Sequence, residues 1–250
     1  MRLQTKPSMV DIHSHVIPFV DFDGPQTLEE SLEMLKLAVG EGVRCVVATP
    51  HLVSGDPSAR LKEIADAFDL LSESVEKERL PVEVRLGYEI YMSPDLYDFV
   101  KETPVWLDGT GQSVLVELPM YEFPPYLHSQ LLSLISEKTV PVVAHPERNT
   151  AVVKNPDVLF SLSKAGVLFQ INCGSLLGVF GKEVKRASWA LLNSGLCHFV
   201  ASDAHNTRDR SFTNGSARLA VEKAVGLPVA GAVFEENAAR ILRLRDPAGE

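Results

Sequence analysis

Side chains able to hold a metal ion recur at or just past the ends of predicted strands: His13, His15, His51, Glu89, Glu117, His145, Asp203 and His205. In a β-strand, residues i and i+2 face the same way, so the His13-x-His15 pair converges on one point, which a helix does not allow at that spacing. A single His-x-His is a weak signal. Five of the seven histidines falling at strand ends is a stronger one. Asp23, directly before Gly24 in the first loop, can join them. These donors exceed the three or four that one zinc site needs, and they suit two or three ions bridged by carboxylates. Imidazole with carboxylate and no thiolate points to manganese, iron or zinc rather than calcium. Such ions clamp a phosphoryl group and generate hydroxide at neutral pH, which makes metal-assisted hydrolysis the expected chemistry.

Two arginines follow these donors closely, Arg148 three residues past His145 and Arg210 five past His205. Either alone reads as a surface cation; beside a metal cluster, the forked guanidinium donors match phosphate oxygens. A cysteine-based phosphatase is excluded by spacing. Its thiolate needs a phosphate loop closing on an arginine, whereas the first basic residue after Cys173-Gly174-Ser175 is Lys182. Cys173 reads as a small residue packed beneath the site. His128, in a predicted helix, and His198, entering the last predicted strand, read as structural.

Strands must carry these residues to one place. Short apolar runs at 9–15, 44–50, 82–90, 114–118, 140–144, 167–172 and 197–201 alternate with helical patterns, which calls for an α/β fold of parallel strands joined by crossovers. Predicted helices include 28–40, with Thr27 as N-cap, Glu30 as capping-box partner and Gly42 as stop, and 58–79. A short helix is expected near 94–100 and another at 127–137. The C-terminal part reads as two helices, 216–225 and 233–244. Runs such as Val114-Leu115-Val116 fit a sheet covered on both faces. In a barrel of parallel strands the carboxyl ends share one mouth; an open doubly wound sheet, the runner-up, would spread them along a line.

The 250 residues allow one large domain, here 9–250, behind a short N-terminal tail at 1–8. Hydrophobic content of 45% and charged content of 23% are those of an ordinary globular protein. A net charge of −9 argues against nucleic acid or an anionic membrane as the main partner. Three cysteines in apolar runs imply no disulfide framework. With no signal-like start and no apolar run of about 20 residues, the cytoplasm is the expected location.

Asp11-Ile12-His13-Ser14-His15, Ala48-Thr49-Pro50-His51, Gly87-Tyr88-Glu89-Ile90, Val116-Glu117-Leu118, His145-Pro146-Glu147-Arg148 and Ser202-Asp203-Ala204-His205-Asn206 occur in order across most of the chain. Together they resemble the polymerase-and-histidinol-phosphatase (PHP) superfamily, and more narrowly its bacterial metal-dependent protein-tyrosine phosphatases of capsule and exopolysaccharide synthesis. The resemblance implies a distorted (β/α)7 barrel, the PHP fold, holding three divalent metal ions, often manganese. By matching motif, His13, His15, Glu89 and Asp203 hold the first ion. Glu89 bridges to a second held by Glu117 and His145, and Asp23, His51 and His205 hold the third. Arg148 and Arg210 match the phosphate-binding arginines. The implied substrate is a phosphotyrosine protein, the phosphorylated tail of a bacterial tyrosine kinase. The family usually has two adjacent aspartates before the glycine; here Phe22 separates Asp21 from Asp23, and Asp23, directly before Gly24, is the better match, with Asp21 the alternative. A histidinol-phosphatase relative, an amidohydrolase (which typically carries a metal-bridging lysine where this chain has Glu117) and a non-enzymatic metal-binding protein are the rival readings.

Overall fold

Every residue of the first strand, β1 (Met9–Ser14), is buried, including Asp11 and His13. A strand covered on both faces is what a parallel sheet with crossover helices demands. The computed structural model describes residues 9–55, 57–107, 109 and 111–244; the tail expected at 1–8 lies outside the described residues. The other strands are β2 (Val43–Ala48), β3 (His51–Leu52), β4 (Glu83–Leu86), β5 (Glu89–Tyr91), β6 (Ser113–Glu117), β7 (Val140–Ala144), β8 (Leu168–Asn172) and β9 (Phe199–Ala201). All ladders are parallel, as the alternation with helices predicts.

They pair as two sheets, ordered β1-β2-β4 and β3-β5-β6-β7-β8-β9. Runs 44–50 and 82–90 read as single strands in the sequence, but each is interrupted, at Thr49-Pro50 and at Gly87-Tyr88. Pro50 has no N–H to give to a ladder. At Gly87 a Cβ would lie 2.9 Å from Val47 Cγ1, so the two breaks nest against each other. The Gly87 N–H donates to Ala48 O (2.8 Å) and the Glu89 N–H to Pro50 O (3.1 Å), carrying the chain from one sheet into the other. At the opposite edge, β1 meets the segment after β9. Ser14 and Ala204 form a parallel bridge, the His15 N–H donates to Ala204 O (2.8 Å), and the Asp203 N–H donates to His13 O (2.9 Å). Among the described residues no continuous ladder closes into a barrel.

Helix Leu28–Glu41 starts where Thr27 Oγ1 accepts the Glu30 N–H at 3.1 Å. The expected reciprocal half of the capping box is displaced by one residue, because Glu30 Oε2 takes the Gln26 N–H instead. Gly42, at φ 95°, ends the helix in the left-handed conformation that suits glycine. This helix buries Leu32, Leu35 and Ala38, and helix Pro57–Glu78 buries Ile64, Leu71 and Val75. Each large side chain so buried contributes about 1.5–3 kcal/mol. The C-terminal part differs from expectation. The first helix is Asn214–Val225, and the second is a run of α (Leu227–Gly231), π (Ala232–Glu236) and α (Asn237–Ile241) turns. The π turn buries Val233 and Phe234 in the core. Among the described residues no helix is long and apolar enough to cross a membrane.

Candidate metal centre

Glu89 opens β5 directly after the break at Gly87-Tyr88, and four imidazoles surround its buried carboxylate. Oε1 lies 3.2 Å from His13 Nε2 and 3.0 Å from His145 Nε2. Oε2 lies 3.3 Å from His15 Nε2 and 3.0 Å from His51 Nδ1. Glu117, ending β6, sits 3.9 Å from His145 Nε2 and from His51 Nδ1. Asp203 Oδ1 lies 3.6 Å from His13 Nε2 and 3.5 Å from His15 Nε2. The His205 ring centroid lies 3.9 Å from that of His15, the two planes tilted by 30°. All nine sequence-predicted donors therefore gather at one place, while His128 and His198 lie elsewhere. His128 Nε2 faces Ser161 Oγ and His198 Nδ1 accepts the Phe169 N–H.

The two aspartates of the first loop separate clearly. Asp23 joins the donors, with Oδ2 3.3 Å from His205 Nε2 and Oδ1 3.9 Å from His51 Nε2. Asp21 stands behind them. Its Oδ2 accepts from His15 Nδ1 at 2.8 Å and its Oδ1 from the His51 N–H at 3.2 Å.

Groups of three donors, with one ligand atom each and all within 4.8 Å of one another, include His15-His51-His205, His13-His145-Asp203, His13-His15-Glu89 and His51-Glu89-Glu117. Asp23 Oδ1, Glu89 Oε2 and His205 Nε2 are buried without a hydrogen-bond partner among the described residues, although other donors stand at ion-pair distance. Buried polar atoms left unpaired are costly, and this donor set, all nitrogen and oxygen, fits divalent cations.

The charges are strongly coupled. Burial pulls the His13 imidazole down, but Glu89 and Asp203 outweigh it and bring it to about 9. Burial also opposes the His15 imidazolium, yet Asp21 and Glu89 lift it to about 10. His205 goes the other way, to about 4, through burial and the neighbouring His15. Burial and Glu89 together push Glu117 up. Burial raises Asp203 as well, but the surrounding histidines and Arg210 hold its carboxyl far below the usual range.

Arg148 Nη1 donates to Asp203 Oδ2 at 3.1 Å, and its guanidinium lies 4.4 Å over the Phe180 ring. Arg210 bridges Asp23 (3.0 Å) and Asp203 (3.2 Å). Both line a cavity of about 610 Å³ that His51, Glu117, His145 and Asp203 also line. Residues 9–243 match the family described as capsular polysaccharide synthesis, CpsB/CapC. The chain belongs to the CpsB/CapC family. It is 37% identical over 238 residues to the tyrosine-protein phosphatase YwqE of Bacillus subtilis (strain 168), covering 94% of this chain and 92% of that protein. It is 31% identical over 240 residues to the tyrosine-protein phosphatase CpsB of Streptococcus agalactiae, covering 94% and 98%. Its fold matches a solved structure from work on YwqE of B. subtilis and CpsB of Streptococcus pneumoniae, described as metal-dependent tyrosine phosphatases. That match has a TM-score of 0.85 at 34% identity and covers 95% of this chain and 96% of the other.

In this CpsB/CapC chain, strand β8 supplies residues that the sequence reading missed. Gln170 and Asn172 point the same way at spacing two and are fully buried. Gln170 Oε1 accepts the His145 N–H (3.3 Å) and faces His13 Nδ1 (2.9 Å). Gln170 Nε2 donates to Asn172 Oδ1 (2.9 Å), and Asn172 Nδ2 donates to Asp203 Oδ2 (2.7 Å). A backbone N–H can only donate and a carboxylate only accept, so both amide orientations are fixed. His13 Nδ1 must then carry a proton, so Nε2, which faces Glu89, is the nitrogen that can bind a metal once its own proton is lost. Asp21 sets His15 the same way, as the Asp203 carbonyl, 2.9 Å from Nδ1, sets His205. A Gln-x-Asn pair inside an apolar strand was the available signal.

Proposed function

We propose that this chain is a metal-dependent protein-tyrosine phosphatase acting in the cytoplasm on the phosphorylated tail of a bacterial tyrosine kinase that governs capsule or exopolysaccharide synthesis. The observation that carries this reading is the convergence of nine nitrogen and oxygen donors, of which Asp23, His51, Glu117, His145 and Asp203 line one cavity together with Arg148 and Arg210. The named activities of the family relatives support it. His13, His15, Glu89 and Asp203 would hold one divalent ion, Glu89, Glu117 and His145 a second, and Asp23, His51 and His205 a third. Manganese is the preferred ion, and iron or zinc suits the same donors. The underlying architecture is a distorted seven-stranded β/α barrel, with β2 and β3 counted as one interrupted strand and β4 and β5 as another.

When bound, such ions supply Lewis-acid charge and a water of lowered pKa. The protein supplies position. Arg148 and Arg210 present donors to the phosphoryl oxygens as negative charge builds on them. Asp21, Gln170 and the Asp203 carbonyl orient the imidazoles of His15, His13 and His205.

Hydrolysis of a phosphotyrosyl peptide tests the reading. A chelator should abolish activity and manganese restore it. Thiol alkylation should leave it intact, because burial pushes Cys45 up to about 12 and raises Cys173 and Cys197 as well. R148A and R210A should each lower kcat/KM by roughly tenfold to a thousandfold, the scale of a charged hydrogen bond lost in the transition state, with metal content unchanged. Activity surviving full metal removal would overturn the mechanism, and faster turnover of histidinol phosphate would move the protein to small phosphomonoesters.

A further inference from the structure

The mouth of the cavity carries two exposed aromatic rings. Phe22 is 92% exposed and stands between Asp21 and Asp23; Tyr91 is 40% exposed and pairs across the β5–β6 ladder with Glu117. Both line the cavity that contains Arg148 and Arg210. His51 lies between them, with Nε2 3.9 Å from Asp23 Oδ1 and Nδ1 3.9 Å from Glu117 Oε2. The two rings thus belong to residues beside Asp23 and opposite Glu117, the two carboxylates that stand 3.9 Å from His51. An exposed phenylalanine by itself needs no explanation. Two exposed rings lining one cavity whose Arg148 and Arg210 guanidinium groups reach the metal donors Asp203 and Asp23 are a different matter: the arginines match an anion and the rings match a flat apolar group. Arg210 Nε, buried and without a hydrogen-bond partner among the described residues, still has a donor to give.

We infer that Phe22 and Tyr91 form an aromatic slot that holds the phenyl ring of an aryl phosphate while Arg148 and Arg210 take its phosphoryl group. The slot selects aryl over alkyl phosphomonoesters. It names the residues that set the specificity of the proposed phosphatase site and rests on that reading. Aromatic pairs prefer offset-stacked or edge-to-face contact, and each contributes beyond the area it buries. Phe22 is well suited because it has almost nothing else to pack against.

The test reads binding, without turnover. Phenylphosphonate and methylphosphonate share the phosphonate head, resist hydrolysis, and differ in the ring. Isothermal titration of the manganese-loaded full chain should show phenylphosphonate bound about tenfold more tightly or better. F22A and Y91A should each weaken phenylphosphonate by about threefold to tenfold, the worth of an aromatic pair, and leave methylphosphonate within twofold. F22W and Y91F should retain the preference. Unchanged metal content and melting temperature exclude a folding defect. Equal losses on both ligands, or none, would overturn the slot. A wild-type chain that discriminates between the ligands but fails to hydrolyse a phosphotyrosyl peptide would sink the phosphatase reading and leave the slot standing.

Discussion

Asp21 and Asp23 are two positions apart and do different work. Asp23 shares its carboxylate with His205 and Arg210, whereas the buried Asp21 accepts from the far nitrogen of His15. Asp23→Asn should lose about one metal equivalent and most of the activity. Asp21→Asn should keep the ions bound, though about 10–100-fold more weakly, the usual cost of losing a partner behind a ligand. Metal analysis of the two purified variants checks both; loss of the ion from Asp21→Asn alone would reverse the assignment. The imidazoles carry a second expectation. His13 at about 9 and His15 at about 10 are lifted above the ordinary histidine value of 6.5, so both hold their second proton at neutral pH in the metal-free chain. An imidazole binds a metal only in its neutral form. Loading at pH 7 should therefore release protons, and apparent metal affinity should climb as pH rises from 6 toward 9. Calorimetry in two buffers of different ionisation heat reads the release directly, and identical heats in both would contradict the charge assignment.

At the scale of elements, the strand ends were the legible part. Period two within a strand and one mouth for parallel strands follow from backbone geometry, so His13, His15, His51, His145 and His205 declared themselves. Strand β8 did not, because amides are poor metal ligands and its own end carries no histidine or carboxylate. Its role is relayed: Gln170 and Asn172 connect His13, the His145 backbone and Asp203 in one hydrogen-bonded line. Gln170→Leu keeps the volume and removes the acceptor for His13 Nδ1–H. Metal affinity, measured by competition against a chelator, should fall about 10–100-fold while the fold persists. An unchanged affinity would make the line incidental. The breaks at Pro50 and Gly87 were likewise hidden, since they depend on two distant strands nesting at Val47, a long-range contact that no local pattern encodes.

For the whole molecule, the decisive join is between the first strand and the last. Asp11 holds it. Its Oδ1 accepts the His13 N–H, and its Oδ2 accepts from the Ser202 N–H (2.8 Å) and Asn214 Nδ2 (2.6 Å). One buried carboxylate thus ties β1 to the segment after β9 and to helix Asn214–Val225. Burial pushes its carboxyl up, and those three donors pull against the shift. Asp11→Ala would strand them in the core, at about 1–3 kcal/mol for each one left unpaired. Chemical denaturation should show at least about 3 kcal/mol lost, and a loss under 1 kcal/mol would remove Asp11 from this role. Asp11 stood out in the sequence only as part of a motif, because Ser202 and Asn214 lie 191 and 203 positions away.

His145 and Asp203 each sit just beyond a strand with φ at 29° and 52°, where a side chain bearing a Cβ is uncomfortable. Left-handed backbone at a residue other than glycine costs about 1–3 kcal/mol. Glycine would relax both positions and remove an imidazole and a carboxylate from the centre. Durability and reactivity therefore compete at the same two Cα atoms. At 203 the same glycine would also leave the donors of Asn172, Arg148 and Arg210 without their carboxylate; this chain accepts a less comfortable backbone to keep two donors turned inward.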